Sequence, residues 1–240
     1  NQLVEAPTAL RGQFDPSHLE QPAEVLISVM KKHQRYFPVT DAQGKLLPFF
    51  IAVRNGDGVG LDVVTDGNEQ VIKARFSDAH FFIKEDLKHN LEDLLVRLGT
   101  LTFQYKLGSM LDKSTRILKL GAEVGALLGF KDVSVIKSLA RAAFLMKADL
   151  VTQMVTEMTS LQGIIGGEYA LRSGEDPEVA KAIAEQYQTV PQSKVGMAVA
   201  LTDRLDSLVG LFAAGLAPTG AKDPFGLRRA AIGIVQPLIE

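Results

Sequence analysis

The sequence predicts an α+β protein in which a mixed α/β N-terminal module precedes an all-α helical bundle. Three observations carry that prediction. Two apolar runs, RYFPVT and KLLPFFIAV, are separated by the turn-forming DAQG and closed by NGDGVG, the punctuation of paired strands. From Gly67 onward apolar residues recur every three or four positions, which is the helical period. Beyond about residue 100, further helical segments are divided only by Gly and Pro. A chain of 240 residues suffices for two domains of ordinary size, and the change of pattern sets them at 1–98 and 99–240.

Taken in order, PAEVLISVMKKH reads as a short amphipathic helix, with Pro22 suited to a first turn and Leu26, Val29, Met30 and His33 on one face. RYFPVT and KLLPFFIAV then form a strand pair in which Tyr36 and Phe37 are expected to enter the core. Ile72, Phe76, Ala79 and Ile83 define a long helix, and Leu87, Leu91, Leu94, Leu95 and Leu98 continue helical spacing toward Gly99. Residues 134–163, PEVAKAIAEQY and SKVGMAVALTDRLDSLVGLFAAG read as three further helices.

Composition narrows the function classes. The chain has no cysteine, which removes disulfide frameworks, thiol nucleophiles and thiolate metal sites. No run approaches the roughly 18 uninterrupted apolar residues of a membrane span, and nothing has the form of a signal peptide, so a cytoplasmic location and no membrane partner are expected. Residues 1–130 hold 15 basic against 16 acidic side chains and the remainder 11 against 12, so neither half has the field of a general nucleic-acid binder. Any RNA contact must come from local patches. The start NQLVEAP, without methionine, and the end QPLIE read as the limits of a piece of a longer protein.

Two helical segments carry an aspartate among apolar residues, Asp149 in LMKADLVTQMV and Asp203 in ALTDRLDSLVG. A carboxylate in such a place needs a basic or N–H partner, or belongs to a metal or catalytic site. The catalytic version is a metal-dependent phosphohydrolase of the HD superfamily, which the two helices resemble in outline. Such a site requires imidazoles, and His18, His33, His80 and His89 all lie upstream; Ala148 and Lys147 precede Asp149. The expectation is therefore a degenerate HD-like bundle with Asp149 and Asp203 as a structural remnant, no metal and no catalytic residue.

Basic residues gather in three places. KKHQRYFPV holds Lys31, Lys32 and Arg35 and reads as a phosphate-gripping edge, a helix-to-strand junction or, through His33, a metal ligand lacking nearby partners. Lys73 and Arg75 form the second set. In PTGAKDPFGLRRAAIG, Lys222, Arg228 and Arg229 form the third, with Asp223 as a helix cap and Pro224 at the first helical position. Phosphate contact and a plain capped helix fit this segment equally. The P-loop pattern is absent, and NGDGVG carries two aspartates, so no nucleotide cradle is read.

EVLISVMKKHQRYFPVTDAQGKLLPFFIAVRNGD, GNEQVIKARFSDAHFFIKEDLK, FQYKLGSMLDKSTRI, KADLVTQMVTEMTSLQGIIGGEYA and LTDRLDSLVGLFAAGLAPTGAKDPFGLRRAAIGI follow one another in the chain. In that order they resemble the central part of the β subunit of bacterial heterotetrameric glycyl-tRNA synthetase. The resemblance implies a tRNA-recognising subunit of a glycine–tRNA ligase, with an α subunit in an α2β2 complex holding ATP and Mg at the adenylation site. It also implies tRNA(Gly) as partner, an HD-like domain using KAD where a hydrolase has HD, and an anticodon-binding domain outside this chain. Under it the candidate tRNA contacts are Lys31, Lys32, Arg35, Lys73, Arg75, Lys222, Arg228 and Arg229. A phosphohydrolase and a subunit-assembly scaffold are the competing readings.

Overall fold

The first strand, β1 (Pro7–Gln13), has little of the apolar run that marked the other two, yet it pairs antiparallel with β3 (Leu46–Asn55) along its whole length. The computed structural model describes residues 4–239. By compactness the chain divides into the units Asn1–Asp86 and Leu87–Glu240.

In the first unit β3 is the central strand, flanked by β1 and by β2 (Phe37–Thr40), both antiparallel to it. Leu10, Phe50 and Ala52 alternate with more exposed neighbours and form the inner face of the sheet. The short helix α1 (Ala23–Ser28) buries Val25 and Leu26 and runs into a π-helical turn, Val29–His33. The long helix α2 (Leu61–Asp86) begins six residues before Gly67 and buries Ile72, Phe76, Ala79 and Ile83, the face that its period predicts. Phe14 meets Phe76 edge-on at 4.9 Å, and Tyr36 stacks on Phe50 at 4.7 Å. Phe37 is a correction: it is 56% exposed while Tyr36 is buried. Successive side chains on extended backbone point to opposite faces, so neighbours cannot both enter one core.

Gly12 is required where it stands, because a Cβ there would overlap the buried Phe50 ring, with Cε1 at 2.6 Å. Gly12→Ala is expected to cost about 1–3 kcal/mol through overpacking. The midpoint of chemical denaturation of the full-length chain checks this, and an unchanged midpoint would mean that the ring moves aside freely.

The second unit is mainly helical. A 3₁₀ run, Leu91–Thr100, buries Leu91, Leu94, Leu95 and Leu98, is capped by Asn90 and Asp93, and packs on α3 (Met110–Leu127). It is followed by a two-stranded hairpin, β4 (Thr102–Gln104) with β5 (Gly108–Ser109), which the expectation of an all-α region omitted. Helix α4 (Val133–Leu145) ends well before residue 163, where the helical period alone would have carried it. The chain continues as a 3₁₀ turn, Ala148–Val151, and α5 (Gln153–Glu157). Thr152 makes the break: its backbone is extended, and its hydroxyl accepts from Val155 N and donates to Asp149 O. Then follow α6 (Ile164–Arg172), α7 (Pro177–Glu185), α8 (Lys194–Ala213) and α9 (Leu227–Ile239). Helix α9 starts at Leu227 rather than at Pro224, because Pro224–Gly226 form a turn with Gly226 at φ +66°. Among the described residues no helix is long and apolar enough to cross a membrane.

Candidate functional site

The polar centre of the second unit lies where α3 packs on α8. Ser109 and Asp112 cap α3 reciprocally, which fixes its first turn and places Lys113 and Arg116 on one face at a three-residue interval. Helix α8 answers with Asp203 and Asp206 at the same interval. Lys113 Nζ lies 2.9 Å from Asp206 Oδ2 and 2.8 Å from Ser207 Oγ, donating to both. Its 2.9 Å approach to Asp203 Oδ1 is an ion-pair contact without hydrogen-bond alignment. Arg116 Nε donates to Asp206 Oδ1 at 2.6 Å and Nη1 to Leu107 O at 2.9 Å.

Lys147 completes the cluster from the turn after α4. It is 2% exposed and donates to Asp203 Oδ2 at 2.8 Å, Gln186 Oε1 at 2.9 Å and the Tyr187 hydroxyl at 3.0 Å. An ammonium has three protons, and all three are used. Gln186 is fixed in turn by donating to Met146 O and Ile183 O. Burial acts to raise the Asp203 pKa, but the ammonium groups of Lys147 and Lys113 outweigh it and hold this carboxyl well below the usual range. Part of Tyr187 is exposed, yet its hydroxyl lies within the cluster, where burial first and then the charges of Asp149 and Asp203 push its pKa up.

Asp149 sits apart from this shared ion pairing. It is 1% exposed, and its Oδ2 accepts from Gly163 N at 2.5 Å while Oδ1 has no hydrogen-bond partner. Gly163 supplies that N–H from a left-handed backbone, φ +80°, and a Cβ on Gly166 would lie 2.9 Å from Oδ2. Burial raises the pKa of Asp149 to about 6, against the opposing effects of the Gly163 N–H and Lys147. Asp203 thus has ammonium partners and Asp149 a backbone donor, the two kinds of partner that burial demands. Among the described residues no group of three or more His, Asp or Glu is placed to hold a metal ion.

The basic candidates divide between the units. In the first, Lys31, Lys32 and Arg35 are exposed in and after the π-helical turn; the side chain of His33 lies outside the described residues. Lys73 and Arg75 are also exposed, but Arg75 lies 4.0 Å from Asp78, and Lys73 borders a cleft with Asp15, Asp66 and Glu69. In the second unit, Lys222, Arg228 and Arg229 are exposed around the start of α9. Asp223 accepts from Leu227 N and Arg228 N there, and the Arg228 side chain donates to Gly220 O at 2.6 Å.

Lys113, Arg116, Gln186, Tyr187 and Asp206 were absent from the sequence reading. The available signal was Lys113, placed four residues before Ile117 on the buried stripe of α3. An uncompensated lysine there requires a carboxylate opposite.

The family model described as glycyl-tRNA synthetase beta subunit matches residues 1–240. The glycine–tRNA ligase beta subunit of Clostridioides difficile is 49% identical over 244 residues, covering 99% of this chain and 35% of that protein. Those of Halothermothrix orenii and Desulforapulum autotrophicum are each 48% identical, covering 99% and 100% of this chain and 35% and 36% of theirs. The chain therefore spans about a third of the length of the curated relatives it matches.

Proposed function

The chain belongs to the glycyl-tRNA synthetase beta subunit family, and from that premise we propose that it is the central part of a tRNA-recognising subunit in ATP-dependent ligation of glycine to tRNA(Gly). The observation that carries this reading is a match over the whole chain, at close to half identity, to relatives named for that ligase. In it, the α subunit of an α2β2 complex holds ATP and Mg and forms the adenylate in the cytoplasm, while this piece contributes surface and stability.

The second unit is read as a degenerate HD-like bundle. Support comes from Lys147 and Lys113, whose ammonium groups occupy the carboxylate of Asp203 from two sides. A phosphodiesterase assay with added divalent metal tests the hydrolase alternative, and turnover dependent on Asp149 and Asp203 would establish it. The assembly-scaffold reading has its own support in α9, where Ile232, Val235 and Leu238 are each more than half exposed.

The proposed RNA role is tested by Arg228→Glu/Arg229→Glu in the full-length complex. Affinity for tRNA should fall, and the slope of log affinity against log salt should drop by about 0.7–0.9 for each phosphate left without its arginine. ATP–pyrophosphate exchange without tRNA should continue. Loss of exchange with tRNA affinity intact would move these arginines to subunit assembly.

A further inference from the structure

We infer that the outer face of the three-stranded sheet, together with the turn that leads into it, is a platform for unpaired nucleotides of RNA; this rests on the RNA-recognising reading above. The register sets Arg11, Ile51 and Phe37 opposite one another in a row across β1, β3 and β2. Directly opposed residues share a face, and this one alternates with the buried Leu10, Phe50 and Ala52. Phe37 stands on the flanking strand β2 and is 56% exposed. An aromatic ring left in water on a face that also carries a cation offers base stacking together with phosphate neutralisation, since every base has a π face. Arg11 and Phe37 are separated by two strand spacings, roughly 10 Å, a distance that adjoining nucleotides can bridge.

The turn before Phe37 supplies further charge. Lys31, Lys32 and Arg35 are exposed, and neither they nor Arg11 pairs with a carboxylate among the described residues. That separates Lys31, Lys32 and Arg35 from Lys73 and Arg75, which have Asp78 and the cleft carboxylates beside them, whereas Arg11 lies 5.2 Å over the ring of Phe49, which borders that cleft. Arg35 has φ +56°, the one positive value at a non-glycine among the described residues, and it directly follows the π-helical turn and Gln34. Both features cost free energy and concentrate at functional positions. The bond from Tyr36 N to Met30 O, 2.9 Å, closes the turn and fixes the three cations close to Phe37 along the chain. A peptide adding a strand to β2 fits less well: β2 has four residues, Pro38 lacks a donor, and the register slips between Pro38 and Thr40.

The test titrates the full-length subunit, assembled with its partner, with a short uridine oligonucleotide and with tRNA(Gly) across a range of salt. Phe37→Ala should weaken both by about five- to hundredfold, the effect of losing one stacked base, and Phe37→Tyr should restore binding. Lys31→Glu/Lys32→Glu/Arg35→Glu should lower the salt slope by up to about 2, at about 0.7 per neutralised phosphate on a single strand. Unchanged affinity and slope in these variants overturn the platform; continued sensitivity to Arg228→Glu/Arg229→Glu would then keep the RNA reading intact. Poor recovery of assembled complex, with tRNA affinity unchanged in what assembles, also overturns it and makes the face a protein interface. Failure of the unmodified complex to bind tRNA removes the RNA reading and this inference together.

Discussion

Replacing Asp203 by alanine is expected to destabilise the protein by about 3–5 kcal/mol, the cost of removing one partner from a buried ion pair. Its carboxylate is shared by two lysines whose side chains are 4% and 2% exposed, so the change takes a counter-charge from two buried ammonium groups at once. Lys113 keeps Asp206 and Ser207, whereas Lys147 keeps only the neutral Gln186 and Tyr187. Most of the loss should therefore be traceable to Lys147. Lys147→Met/Asp203→Leu removes both charges and should recover a large part of it, because a buried pair exchanged for apolar side chains of similar size is often nearly neutral. The midpoint of urea denaturation of the full-length chain measures both, with an unchanged m value showing that the native state is still compact. If the single variant loses less than about 1 kcal/mol, water or a rearranged Asp206 is serving Lys147, and the cluster is not the anchor of the bundle.

Why the sequence disclosed some of this and not the rest can be read from single residues. Periodicity located the buried face of α2, since Ile72, Phe76, Ala79 and Ile83 repeat a pattern that tertiary packing only confirms. It failed between residues 134 and 163, where the apolar period continues but Thr152 starts a new cap; a hydroxyl competing for backbone groups is a local event that periodicity does not register. Tyr36 and Phe37 look alike as adjacent aromatics, and only the strand's two-residue alternation decides that Phe37 faces outward. Asp149 and Asp203 stood out because a carboxylate among apolar residues is costly. Their partners did not, because Lys113, Gln186 and Gly163 are far from them in the chain and each is ordinary in its own segment.

Asp149 gives the second large effect, and it should appear as a dependence on pH. Burial raises its pKa from 3.8 to about 6 in the folded protein. An acid with a raised folded-state pKa binds its proton more tightly when folded, so its contribution to stability is complete below the unfolded pKa and disappears as pH rises through the folded one. Between pH 4 and 7 the protein should thus lose about 2.5 kcal/mol relative to Asp149→Asn, which cannot titrate there. Asp203 has the opposite sign: its depressed pKa stabilises the fold above the unfolded value and is lost only as acid takes the pH below it, outside this window. His18, whose pKa is lowered by burial, is present in both proteins and cancels in the difference. The amide can still accept from Gly163 N while its NH2 replaces the unpartnered Oδ1, which adds an offset that does not vary with pH. The slope of the stability difference, taken from urea midpoints at half-unit steps, therefore isolates the carboxyl. A flat difference would place the Asp149 pKa in its ordinary range, with Lys147 and the Gly163 N–H offsetting the whole cost of burying the charge.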